Sequence, residues 1–142
     1  MIGYLKYVVE NCKIAADELC VTNQDLHEGM SADSTKDVSH LGALNRMIQD
    51  YLVMRVAGLF DKDTRTVSLH NALPENKTVK EIESEPIIKR IKENRNRFVA
   101  HSDFAYLKTE EFIIPTDEIC SSNLRGLLEK LDGVLIEAES IN

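Results

Sequence analysis

Arg95 and His101 lie six residues apart in the run Ile87-Ile88-Lys89-Arg90-Ile91-Lys92-Glu93-Asn94-Arg95-Asn96-Arg97-Phe98-Val99-Ala100-His101-Ser102-Asp103. They are the residue types that a metal-free attack on an RNA phosphodiester requires. In that reaction the 2′-hydroxyl attacks the adjacent phosphorus, so one group must move protons and one cation must hold the charge that develops. Histidine suits the first task because its pKa lies near working pH. Arginine suits the second, with a fork of donors matched to phosphate oxygens.

The element that must position them is an apolar helix. Wound at about 100° per residue, residues 86–103 bring Ile87, Ile91 and Phe98 onto one ridge, with Arg95 about 60° to one side and His101 about 60° to the other. Asn94 and Ser102 fall nearer the ridge. Lys89, Lys92, Glu93, Asn96 and Asp103 project to the far side, as on any solvated helix face. An ordinary amphipathic helix accounts for most of this, with His101 favoured near a helix end by the macrodipole. Arg95 is harder to place in that account, since a guanidinium beside a packing stripe is costly to desolvate unless it is paired or meets an anion. About 120° separates Arg95 from His101 on an ideal helix, so one phosphate reaches both only if the helix bends or a second copy contributes.

The string from Arg95 to His101, with Asn96 following the arginine, resembles the R-x4–6-H signature of HEPN domains. Gly58-Leu59-Phe60-Asp61-Lys62-Asp63 and Thr66-Val67-Ser68-Leu69 resemble the helix end and Ser-Leu turn of the abortive-infection (AbiU-like) branch of that superfamily. The likeness runs over most of the chain. It implies a metal-independent endoribonuclease, a toxin or antiphage effector leaving 2′,3′-cyclic phosphate ends, with no cofactor. Arg95 would stabilise the transition state and His101 would act as general acid and base. Asn96, Asn94, Ser102, Arg97 and Arg90 would support them or hold RNA. The resemblance also implies a homodimer whose Ile87–Ile91–Phe98 ridges pack near a two-fold axis, and a possible antitoxin partner. In some HEPN toxins a tyrosine two residues beyond the histidine is modified by the antitoxin; here that position is Asp103, with Tyr106 further on. Arg65 and His70 form a second formal match to the spacing, set aside because they fall in a predicted turn.

Composition bounds these readings. A chain of 142 residues with 43% hydrophobic and 29% charged residues fits one globular domain, residues 1–142, able to bury a single core. Few Gly and Pro, and abundant Leu, Ile, Ala, Glu and Lys, favour helices. The net charge of −7 argues against a protein that coats DNA or anionic membrane. RNA stays open, because Lys89 to Arg97 hold five basic residues against one acid, and the local field governs phosphate contact. Cys12, Cys20 and Cys120 form no CxxC pair, so reduced, partly buried thiols and no metal are expected. Without a signal-peptide core or a membrane-length apolar run, a cytoplasmic protein with no membrane contact follows.

The periods are helical throughout. Leu5, Val8, Cys12, Ala15, Ala16 and Leu19 mark a helix over residues 2–28. Residues 30–35 break it. A second helix spans 36–60 on the stripe Val38, Leu41, Leu44, Ile48, Leu52, Val56 and Leu59; Tyr51, Val53 and Met54 widen the stripe, which places neighbours on more than one side. Ser68 caps a short turn through Leu73, and Thr78-Val79-Lys80-Glu81 has the form of a capping box. Pro86 calls for a bend or kink before the motif helix. Residues 104–114 read as an ordered loop. Pro115-Thr116-Asp117-Glu118 opens one last helix on Cys120, Leu124, Leu127, Leu131, Val134 and Ala138. The expected fold is an all-α, HEPN-like bundle of four main helices with short extra turns. Two functional alternatives accompany the nuclease reading: a non-catalytic HEPN module binding RNA or a nucleotide, and a helical dimerisation or adaptor domain in which Arg95 is ion-paired.

Overall fold

The computed structural model describes residues 1–29, 38–96 and 116–141. Among them the chain forms seven helices: α1 (Ile2–Gly29), α2 (Val38–Leu59), α3 (Leu69–Ala72), α4 (Lys77–Glu83), α5 (Pro86–Asn94), α6 (Thr116–Ser121) and α7 (Leu124–Ile141). No strand occurs among the described residues. The all-α bundle expected from the periodicity is the fold observed.

The long first helix supplies the central wall. Leu5, Val8, Val9, Cys12, Ala15, Ala16 and Leu19 are buried along it, the set that three- and four-residue spacing brings to one face. α2 lies against it antiparallel: Asn45 Nδ2 donates to Thr22 Oγ1 at 3.0 Å, while Arg55 Nη1 donates to the Tyr4 hydroxyl at 3.3 Å. α7 runs antiparallel to α1 on another side, tied by Lys6–Glu139 at 2.6 Å, Lys13–Asp132 at 3.5 Å and Arg125–Asp17 at 3.0 Å. These exposed pairs set register more than stability, since each contributes at most about 1 kcal/mol. The interior itself is mostly aliphatic around one aromatic ring, with Phe60, Leu52, Leu69, Ile91 and Leu128 fully enclosed.

Between α2 and α5 the chain turns on its own side chains. Asp61 Oδ1 accepts from the Asp63 N–H at 2.9 Å, and Asn71 Nδ2 donates to the Asp63 and Thr66 carbonyls at 2.7 and 2.8 Å. Ser68 caps α3 as expected, accepting from the Asn71 N–H at 3.2 Å. Asn76, not Thr78, caps α4: its Oδ1 accepts from the Val79 N–H at 3.0 Å, because an Asx side chain reaches the third helical amide better than a threonine already wound into the first turn. α4 then ends at Glu83, and α5 starts with Pro86 at its first position after an extended Glu85. That is the bend the proline called for.

Several expectations are corrected. The last helix is two: the chain breaks at Ser122–Asn123, where Ser122 Oγ accepts from the Leu124 N–H at 3.2 Å. Past the break the buried stripe takes in Leu128 and Leu135, leaving Val134 and Ala138 at its edge. The cysteines are not three thiols, for Cys20 and Cys120 form a disulfide joining α1 to α6 across a sequence separation of 100. Cys12 remains a thiol inside the core, where burial pushes its pKa up to about 12. The α5 ridge is also turned. Ile88 and Ile91 are enclosed within the subunit, and Ile87 packs at the core's edge, so this ridge is not a surface for a symmetry mate. The break at 30–35, Phe98 and the loop 104–114 lie outside the described residues.

Candidate functional site

α5 delivers the basic side chains. Its buried line is Ile88, Ile91 and Asn94, and on a helical wheel Arg95 stands about 40° from the centre of that line, with Lys92 and Lys89 further round the same flank. Arg90 falls on the opposite flank and pairs with Glu118 of α6 at 2.6 Å. After Asn94 the ladder runs on to Arg95, whose N–H is shared between the Ile91 and Lys92 carbonyls. Residues 95–96 themselves take π geometry, a local departure that recurs at functional sites.

Arg95 is 21% exposed. Its Nε donates to Asn96 Oδ1 at 2.9 Å, so Asn96 orients the guanidinium from the neighbouring position. Its Nη1 stands 3.8 Å from Asp61 Oδ2, a charge contact too long for a hydrogen bond. Asp61 is in turn fixed by the loop that follows α2. The arginine is thus held at the junction of α2 and α5.

Beside that junction is a basic recess of about 370 Å³, lined by Lys62, His70, Lys80, Lys89 and Lys92, with Glu83 and Ser84. Four ammonium groups face one carboxylate. Glu83 takes Lys92 at 3.0 Å and Lys62 at 3.7 Å, and Lys80 reaches Glu75 at 3.3 Å. One carboxylate cannot neutralise its lysine neighbours, so the recess keeps a positive field suited to phosphate oxygens. Arg65, by contrast, is clamped by Asp63 at 3.0 and 2.7 Å. That fork holds the Asp63 carboxyl below its ordinary range.

The residues expected to form the site therefore separate. Arg95 and Asn96 stand together, whereas Asn94 is buried at 5% exposure and turned to the interior, which removes it from contact with a ligand. Arg90 is drawn to α6, away from the recess. His101, Ser102 and Arg97 lie outside the described residues. Lys62 and Lys80 were missed by sequence reading, and His70 was set aside with Arg65 as a chance match; each is commonplace alone, and only the fold gathers them. Lys89 and Lys92, read as plain solvated charges, line the recess. Among the described residues no three His, Cys, Asp or Glu side chains are grouped so as to hold a metal ion, and no helix is long and apolar enough to cross a membrane.

Compared with protein-family models, with curated proteins and with solved structures, the chain matches none.

Proposed function

We propose that this protein is a metal-independent endoribonuclease of HEPN type, a toxin or abortive-infection effector that cuts RNA with Arg95 and His101. The observation that carries the reading is the basic recess of Lys62, Lys80, Lys89 and Lys92, in which Lys62 follows Asp61 in sequence and Lys92 stands one helical turn before an Arg95 oriented by Asn96. The RNA backbone lies along the lysines, Arg95 holds the non-bridging oxygens of the phosphate under attack, and His101 moves the protons. Asn96 orients the guanidinium rather than the RNA. Arg97 and Ser102 supply further contacts. The protein works as a cytoplasmic homodimer, silenced by an antitoxin that covers the recess. The resemblance around Arg95–His101 supports the chemistry.

The test is cleavage of a labelled RNA in EDTA by wild type, Arg95→Ala and His101→Ala, with cyclic-phosphate ends assayed on the products. Both variants are expected to lose at least a hundredfold in rate. Equal activity in all three eliminates the reading.

The Arg95–Asp61 contact favours a second reading, a module that binds RNA without cutting it, in which Arg95 is a structural cation. Lys89→Glu with Lys92→Glu then weakens binding and flattens its dependence on salt, by about one unit of log–log slope for each phosphate no longer held. No cleavage product appears at any salt concentration.

A further inference from the structure

α2 is apolar on two sides. Its inner side carries Leu52, Val53, Val56 and Leu59, all enclosed. On its outer side Leu44, Met47, Tyr51 and Met54 stand at 37%, 67%, 38% and 41% exposure. A contiguous exposed apolar stripe of this kind marks an interaction surface. The outer residues recur at steps of three, four and three, which is the spacing of a coiled-coil seam rather than of a globular stripe.

α1 carries a matching seam beside it. Tyr4, Tyr7, Asn11, Ile14, Glu18 and Val21 recur at three- and four-residue steps along its outer edge, and the four apolar members are all exposed, Tyr7 to 61%. The two seams border a pair of recesses on one face. Tyr4, Met54 and Arg55 line one of them; Asn11, Ile14, Glu18, Leu44, Met47 and Tyr51 line the other.

We infer that this face is the homodimer interface, where the α1–α2 pair of a second copy packs as an intermolecular four-helix bundle. Three features favour a second copy over an unrelated partner. The eight apolar side chains expose roughly 700 Å², close to the ~800 Å² that each partner of a stable complex contributes. Because α1 and α2 are antiparallel, Arg55, with Asp61 lining the same recess, and Glu18 stand toward opposite ends of the face; a two-fold axis across its middle sets each Arg55 against the Glu18 of the partner subunit. The same axis brings Asn11, midway along the α1 seam, against its own mate, and a lone asparagine in such a seam fixes register and oligomer number. Tyr, Met and Arg are also the side chains enriched at interfaces.

The inference does not depend on the nuclease reading. Asp61, the partner of Arg95, lines the recess at the Arg55 end, so the two-fold leaves one Arg95 at each end of the dimer instead of joining both in a central cleft.

Sedimentation equilibrium on the full chain tests it. Wild type is expected to sediment as a dimer at micromolar concentration, and Met47→Glu with Tyr51→Glu as a monomer of unchanged helical circular dichroism. Glu18→Arg and Arg55→Glu should each weaken dimerisation about tenfold, by placing like charges together. The double substitution in one chain should restore it, because the swapped ends again attract. A wild-type monomer at 100 µM, which leaves the face to another protein or to the chain itself, overturns the inference. So does a double variant no tighter than the singles. RNA cleavage that persists in a monomeric variant leaves the nuclease reading standing on its own.

Discussion

Opening the Cys20–Cys120 disulfide should cost this fold more than any single surface substitution. The bond spans 100 residues of sequence, and in the chain-entropy account a loop of that length restricts the unfolded chain by about 4.7 kcal/mol, with 2–4 kcal/mol the more usual yield. The helix it holds, α6, is short: one buried side chain, Ile119, anchors it, and its exposed links to α1 are Asn23 to Asp117 at 2.6 Å and His27 to Asp117 at 3.1 Å. Taking about 3 kcal/mol for the loss and a urea slope near 2 kcal/mol/M, the unfolding midpoint should fall by roughly 1.5 M. The assay is urea unfolding followed by circular dichroism, with and without reductant, on wild type and on Cys20→Ser with Cys120→Ser. Oxidised wild type should stand apart, with the reduced protein and the double variant coinciding. Superimposable wild-type curves in both buffers refute the reasoning, as does alkylation of three thiols in denatured, unreduced chain. Because cytoplasmic thiols are ordinarily kept reduced, the oxidised fraction recovered from cells also tests the expected compartment.

Two further outcomes follow from the α1–α2–α6 junction. Thr116→Val should cost about 1–3 kcal/mol in urea unfolding, since the hydroxyl contacts the buried Asn45 Oδ1 at 2.7 Å and Gln49 Oε1 at 2.9 Å, and its loss strands amide groups away from water. Asp117 is held below the ordinary carboxylate range by the Asn23 amide first and His27 second; a depressed folded pKa stabilises above the unfolded value and ceases to do so as pH falls through the folded one. Wild type and Asp117→Asn should therefore differ in stability at pH 7 and converge as the pH falls below the ordinary carboxylate range and through the depressed folded value, as measured by unfolding at each pH.

The helical class was legible because burial imposes a period that the sequence must carry. Leu5, Val8, Cys12 and Leu19 repeat it over many turns, so α1 was readable nearly to its last residue. Short elements carry no such redundancy. The Ser122 hydroxyl ends one helix and starts another, and a stripe read straight across that break drifts off the buried face. The α5 ridge failed for a related reason: Ile87, Ile88 and Ile91 offer two overlapping faces, and only packing against α2 selects the one through Ile88. Long-range pairing left still less trace. Nothing near Cys20 announces Cys120, and nothing near Lys89 announces Lys62, His70 and Lys80. Arg95 was the exception, since a guanidinium beside isoleucines must find a partner, and Asp61 and Asn96 stand beside it.

That partner bears on what Arg95 can do. A carboxylate 3.8 Å away, with both side chains between a fifth and a third exposed, forms a pair of about 1 kcal/mol or less in partly screened surroundings. Such a contact holds the guanidinium near one place without committing its terminal N–H groups. A phosphate arriving over the lysine recess can take two charge-assisted hydrogen bonds from the same fork, while Asp61 turns back to water at little cost. With a Debye length of about 8 Å at physiological salt, that phosphate feels the four lysines and Arg95 far more than it feels acids on the opposite side of the molecule. An acidic protein can therefore present a phosphate-binding site, provided that its cations are clustered and its acids are spread. Asp61→Asn should then tighten RNA binding, by removing the competing carboxylate, whereas a purely structural Arg95 predicts a loss of stability with no gain in affinity.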